Sequence, residues 1–284
     1  MPQIVNIYPA VSAPIADLVT YRALPTQHVN YIDPFLFLNH HGPQVYKSHN
    51  RGLPFGPHPH RGMETVTFII DGDISHKDSS GHESVITAGG VQWMRAGSGL
   101  IHAEISSAEF KEQGGPLEIL QLWVNLPARL KMSDPFYVEK QKTEIPSIIL
   151  NEGKVEVDLI FGEWEGLQPA FESDLGIQIN TIKFKAGGKL TFSIPEGHNV
   201  FFYVICGELD ANNKLVKALN LAEFDQQGGE LTISSATESI LLFGHAMPYN
   251  EPVVSQGPFV MNTEAEIKQA YQDYQQGKFG SWDF

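Results

Sequence analysis

The sequence predicts an all-β protein: two β-barrel or sandwich domains with one short C-terminal helix. Three observations carry that reading. Short runs rich in Val, Ile, Thr and aromatics recur along most of the 284 residues. Glycine-containing turns separate them. No helical crossover pattern lies between them, which argues against a parallel α/β sheet.

The strands follow in order. Residues 64–70 (ETVTFII), 83–88 (ESVITA), 117–126 (LEILQLWVNL), 155–162 (VEVDLIFG), 177–186 (IQINTIKFKA), 199–209 (NVFFYVICGEL) and 238–244 (ESILLFG) all have strand composition. The turns DGD, AGG, CGE and QGG bound them. Both halves run strand, Gly-acidic turn, strand, Gly-Gly turn, strand, which suggests a duplicated β-domain. Residues 126–147 carry three prolines, many charges and weak periodicity. A junction there divides the chain into domains 1–135 and 136–284. Near the C-terminus, Thr263 and Glu266 form a capping-box pair. Ile267, Ala270, Tyr271 and Tyr274 follow at helical spacing, giving one face to pack, and Gly277 supplies a stop.

Composition narrows the function classes. A net charge of −14 without a Lys/Arg cluster argues against direct nucleic-acid binding, so action near DNA would need another protein. The one cysteine, Cys206, excludes an intramolecular disulfide and, inside an apolar run, is expected to be a small buried hydrophobe. No segment approaches the ~18 apolar residues of a membrane span, and the N-terminal MPQIVNIYPA lacks a basic stretch followed by an apolar run. These features predict a cytoplasmic protein with no membrane partner.

The chemistry concentrates in FGPHPHRGMETVTFIIDGD, residues 55–73. In an extended chain, His58 and His60 face the same way, and Pro59 disfavours the α region for His58. Two imidazoles are too few for a tight metal site, which usually takes three or four protein groups. The stretch GSGLIHAE supplies more: His102 and Glu104, again two residues apart, 44 residues beyond His58. Pairing the two segments would converge three imidazoles and one carboxylate. That donor set suits Fe(II), Mn(II), Ni(II), Cu(II) or Zn(II).

The pattern H-P-H-R-G-x-E-T-V followed by Q-W-M-x-A-G-x-G-x-x-H-A-E resembles pirin, a bicupin family, as do residues 116–137 and 251–280. The resemblance spans nearly the whole chain. It implies two cupin β-barrels, with a metal, typically iron as Fe(II), in the N-terminal one. The family's ligands carry over to His58, His60, His102 and Glu104. Glu64 sits where many other cupins place a carboxylate ligand. Because the pirin-like carboxylate is Glu104, Glu64 is expected to orient a ligand histidine, the alternatives being a fifth, switching ligand or a plain structural carboxylate.

Several pirin-like proteins are similar to flavonol 2,3-dioxygenases, which cleave quercetin with O2 and release CO. The resemblance therefore implies a metal-dependent dioxygenase taking a flavonol and O2, with Glu104 or Glu64 as catalytic base. The alternative it implies is an iron-binding, redox-sensitive regulator acting through protein partners.

Other residues read as structural. His40 and His41 precede a Gly-Pro turn, and His76 and His82 flank the polar turn KDSSG. His198 and His245 have no H-x-H or H-x-E partner, so the second domain is expected to lack metal. Arg61 and Arg95 are expected in salt bridges, with anchoring of an anionic substrate as the other reading. Phe55, Trp93 and Met94 are candidates for an apolar pocket over the metal or for core packing.

Overall fold

The computed structural model describes residues 1–282. Its residues form two compact units that are interleaved along the chain. The first comprises residues 12–21, 35–142 and 249 onward; the second comprises 1–11, 22–34 and 143–248. A single cut near 135 assigned segments by chain order. The contacts place both terminal segments differently, the first strand with the second unit and the last helix with the first.

Each unit is built from the same two antiparallel sheets. In the first unit the larger sheet contains, in order, Phe136–Lys140, Val91–Arg95, Met63–Asp71, Gly115–Asn125 and Phe35–Tyr46. In the second, Ile4–Pro9, Asn220–Phe224, Asn199–Cys206, Ser239–Ala246 and Ile177–Phe184 take the equivalent places. The smaller sheets also match. Phe55–His60, Leu100–Ile105, Asp73–Asp78 and Glu83–Thr87 correspond to Gly188–Ile194, Gly229–Ser235, Glu208–Ala211 and Lys214–Lys217. The chain is thus a duplicated pair of β-barrels. The stretch 126–147, expected to hold the domain junction, contains Phe136–Lys140, which pairs with Val91–Arg95 at the edge of the first sheet.

Several local readings change. Phe35–Tyr46 is one strand through the Gly-Pro pair expected as a turn. The register slips between His41 and Gln44, opposite Ile119 and Leu117, so Gly42-Pro43 forms a bulge. Gly42 has φ +90°, a conformation that favours glycine. His40 and His41 are buried within this strand: His40 Nε2 lies 2.8 Å from Glu118 Oε1, and His41 Nδ1 2.9 Å from Thr20 Oγ1. Cys206 is exposed rather than buried. A register shift between Val204 and Cys206 breaks the alternation that would have turned it inward.

The helix spans Glu264–Gln275 with the expected capping box. Its buried residues are Ile267, Ala270 and Asp273, while Tyr274 is exposed. A short helix, Ala108–Gln113, capped by Ser107, was not expected. Among the described residues no helix is long and apolar enough to cross a membrane.

The two interiors differ in chemistry. The second barrel packs Val157, Ile182, Phe202, Val204, Leu241 and Phe243 into an apolar core. The first has an apolar cluster around Ile69, Met94 and Ile119 but also buries Thr67, Gln92, His102 and Glu104. Buried polar groups need partners, so this polar half marks the candidate site.

Candidate metal centre

Sheet register closes the 44-residue gap between the two motifs. Phe55–His60 pairs antiparallel with Leu100–Ile105, putting His58 directly opposite His102 and His60 opposite Leu100. His58, His60 and His102 bring ligand nitrogens within 4.8 Å of one another. His58 Nε2 and His102 Nε2 are 3.0 Å apart.

Backbone carbonyls set two of the tautomers. His58 Nδ1 lies 2.7 Å from Gly56 O and His60 Nδ1 3.2 Å from Pro258 O. A carbonyl only accepts, so both Nδ1 atoms carry the proton and both Nε2 atoms present lone pairs. Burial, then repulsion from His58, lowers the His60 pKa to about 3, against a partial rise from the Pro258 carbonyl. Burial, then His58, His60 and His76, pushes His102 well below the ordinary histidine range. His60 and His102 are therefore uncharged near neutral pH, as metal ligation requires. Three imidazoles whose ring nitrogens converge within 4.8 Å fit a borderline divalent cation.

Glu104 lies two residues past His102 and is buried, but it is not in the group of three donors. Its carboxylate is held from the facing sheet. Gln92, Thr67 and Gln121 stand directly opposite one another on adjacent strands. All three donate to it: Gln92 Nε2 and Thr67 Oγ1 to Oε1, and Gln121 Nε2 to Oε2 at 2.7 Å. Two aromatic donors orient the amides. Tyr137 Oη donates to Gln92 Oε1 at 3.2 Å and Trp123 Nε1 to Gln121 Oε1 at 3.2 Å. Each amide nitrogen is thereby turned towards Glu104. Gln92→Leu and Gln121→Leu should each weaken metal binding by about 10–100-fold if Glu104 serves the metal, because supporting partners carry that much affinity. Competition with a chelator reads the change.

Glu64 is placed elsewhere. Strand alternation puts Thr65 and Thr67 on the site face and Glu64 on the opposite one. Its carboxylate accepts from Trp93 Nε1 at 2.8 Å and Arg95 Nε at 2.6 Å, both on the neighbouring strand. None of the hydrogen bonds of His58, His60 or His102 goes to it. The expectation that Glu64 orients a ligand histidine, or acts as the base, gives way to a buried ion pair. The residue offset of three from Thr67 is the reason.

Of the two readings of Phe55, Trp93 and Met94, pocket wall or core packing, the structure favours packing. Trp93 faces Glu64, and Met94 and Phe55 belong to the apolar cluster. Trp123 instead sits 5.2 Å from His60, ring to ring, and stacks on Phe37 at 4.5 Å. His76, expected beside a surface turn, is fully buried, stacks on Tyr137 at 3.7 Å and lies 5.5 Å from the His102 ring.

The C-terminal segment supports the ligand strand from behind. Besides the Pro258 carbonyl on His60, Val260 N donates to Arg61 O at 3.0 Å, and Lys131 Nζ donates to both Gly62 O and Val260 O. Gly62 has φ +78°, and a Cβ there would collide with the Val260 carbonyl. Arg61 is buried, donates to Asp273 Oδ2 at 2.8 Å and packs over Phe279. It is a salt-bridging residue, as the first of its two readings held, and Arg95 is likewise paired.

Hydrogen bonds from Lys278, Arg61 and Gln269 hold the Asp273 carboxyl well below the usual carboxylate range. With a depressed folded-state pKa, its stabilisation is complete above its ordinary value of 3.8 and is lost as pH falls through the folded-state value. Asp273→Asn is expected to flatten the loss of stability on acidification below pH 3.8, as followed by denaturant titrations.

Comparison with known proteins agrees with this geometry. The family model described as Pirin matches residues 17–124, and that described as Pirin C-terminal cupin domain matches 179–280. A Pirin-like protein of Caulobacter vibrioides is 36% identical over 269 residues, covering 91% of each chain. Pirin-1 of Arabidopsis thaliana is 36% identical over 259 residues, covering 88% of this chain and 84% of its own. A crystal structure of quercetin 2,3-dioxygenase from Acinetobacter baumannii is 35% identical, covers 99% of both chains and superposes with a TM-score of 0.92.

Proposed function

This chain belongs to the pirin family of bicupins, and from that premise we propose that it is a metal-dependent dioxygenase cleaving a flavonol such as quercetin with O2. The observation that carries the reading is the convergence of the ring nitrogens of His58, His60 and His102, the last two buried and uncharged near neutral pH. The quercetin 2,3-dioxygenase with the same fold across 99% of the chain supports the choice of substrate.

We assign the triad, with Glu104 as fourth ligand, to a divalent metal, Fe(II) by family resemblance; Mn(II), Ni(II), Cu(II) and Zn(II) suit the same donors. When bound, the metal supplies Lewis acidity towards the oxygen of the flavonol 3-hydroxyl. The protein's own groups do the rest. Glu104 accepts the 3-hydroxyl proton. Gln92, Thr67 and Gln121 fix where that carboxylate waits. The half-buried Trp123 and Phe37 rings offer a flat apolar wall beside His60 for a planar aromatic substrate. One flavonol and one O2 then yield one ring-opened ester and one CO.

Iron-loaded protein given quercetin in an oxygen electrode should consume O2 in step with flavonol loss and release CO. With iron occupancy verified, an absence of substrate-dependent O2 uptake removes this function.

A further inference from the structure

The second barrel holds a histidine pair that sequence spacing hides. His198 and His245 are 47 residues apart, yet their Nδ1 atoms lie 2.9 Å from each other. His245 stands opposite Gln178 on one neighbouring strand and Val200 on the other. It shares its strand face with Phe243 and Leu241, which enter the core, so its ring lies at the barrel mouth.

A cavity of about 520 Å³ opens there, walled by Trp164 and Phe192 and reached by His245 and Gln178. A smaller one of about 340 Å³ shares His245, Gln178 and Glu163. Glu165 and Glu230 line the first and Glu172 the second, and neither has a lysine or arginine in its wall. Such a mouth attracts cations and repels anions.

The pair is not a degraded copy of the first site. The strands equivalent to Phe55–His60 and Leu100–Ile105 are Gly188–Ile194 and Gly229–Ser235. They set Phe192 opposite Leu231 and Leu190 opposite Ile233, where the first barrel sets His58 opposite His102. The histidines of the second barrel arise on different elements.

We propose that His198 and His245 form a second, two-imidazole metal site, taking Ni(II) or Cu(II) with its remaining positions open to water or a small ligand in the cavity. Two ring nitrogens at this separation hold one proton between them; the metal takes its place, and the proton moves to the same ring's Nε2, leaving both rings neutral with both Nδ1 lone pairs on the metal. For metal–nitrogen bonds of about 2.1 Å, donors 2.9 Å apart subtend roughly 90° at the metal. That is the angle between adjacent positions of square-planar or octahedral coordination; a tetrahedral Zn(II) would ask for nitrogens about 3.4 Å apart. The Nε2 atoms of His58 and His102, at 3.0 Å, have nearly the same bite.

Titration of the full-length protein with Ni(II), followed by calorimetry, tests the assignment. The wild type should take up two equivalents per chain, the second more weakly. His198→Ala alters a partly exposed ring and should fold; it is expected to lose the weaker event and keep the tighter one. His102→Ala should do the converse. A wild type that binds one equivalent, or a weaker event that survives in both His198→Ala and His245→Gln, overturns the proposal. So does a second event stronger for Zn(II) than for Ni(II).

Discussion

His102→Ala is expected to lose metal and dioxygenase activity together. His102 sits at the meeting point of the triad, fully buried, with Nε2 3.0 Å from His58 Nε2. Its removal takes one imidazole from the triad and leaves His58, His60 and the assigned Glu104, one donor short of the proposed set of four. Affinity should fall by more than the ~100-fold typical of losing a supporting partner, because a direct donor is gone. His102 Nδ1 is buried without a hydrogen-bond partner. Truncation therefore removes an unsatisfied polar atom along with the packing it provides, so the apo protein should remain folded. Elemental analysis of the purified variant decides the matter: full metal content would show that the ligand assignment is wrong.

Glu64→Ala is expected to act on stability instead, by about 3–5 kcal/mol, the scale of removing one partner of a buried charge pair. The Glu64 carboxylate is fully buried and faces the Arg95 guanidinium and the Trp93 indole N–H. Glu64→Gln, which keeps the shape and one acceptor, should recover part of the loss. Both variants should bind one equivalent of metal at the first site in the temperature range where they are folded. The measurement is a pair of readings, unfolding free energy and metal content. Unchanged stability with reduced metal content would return Glu64 to the site.

The fold was legible because its determinants are local. Runs rich in Val, Ile, Thr and aromatics bounded by turn glycines marked seven strands, and the Thr263–Glu266 box marked the helix. The strand Phe136–Lys140 was hidden by the prolines around it and by its own charges, and it lies at the edge of its sheet. The Gly42-Pro43 bulge looked like a turn because both use the same residues. The tail's docking on the first unit left no local trace, since carbonyls such as Pro258 O carry no side-chain signature.

By itself, the sequence determined the barrel duplication, the capped helix and the identity of the three histidines, because each is written in short-range spacing. Only the tertiary structure decided what those residues face. It turned Glu64 away from the histidine triad by strand parity, aligned Gln92, Thr67 and Gln121 on Glu104 by cross-strand register, and joined His198 to His245. Register and parity are relations between strands far apart in the chain, set by pairing and bulges along whole sheets, and no single segment contains them.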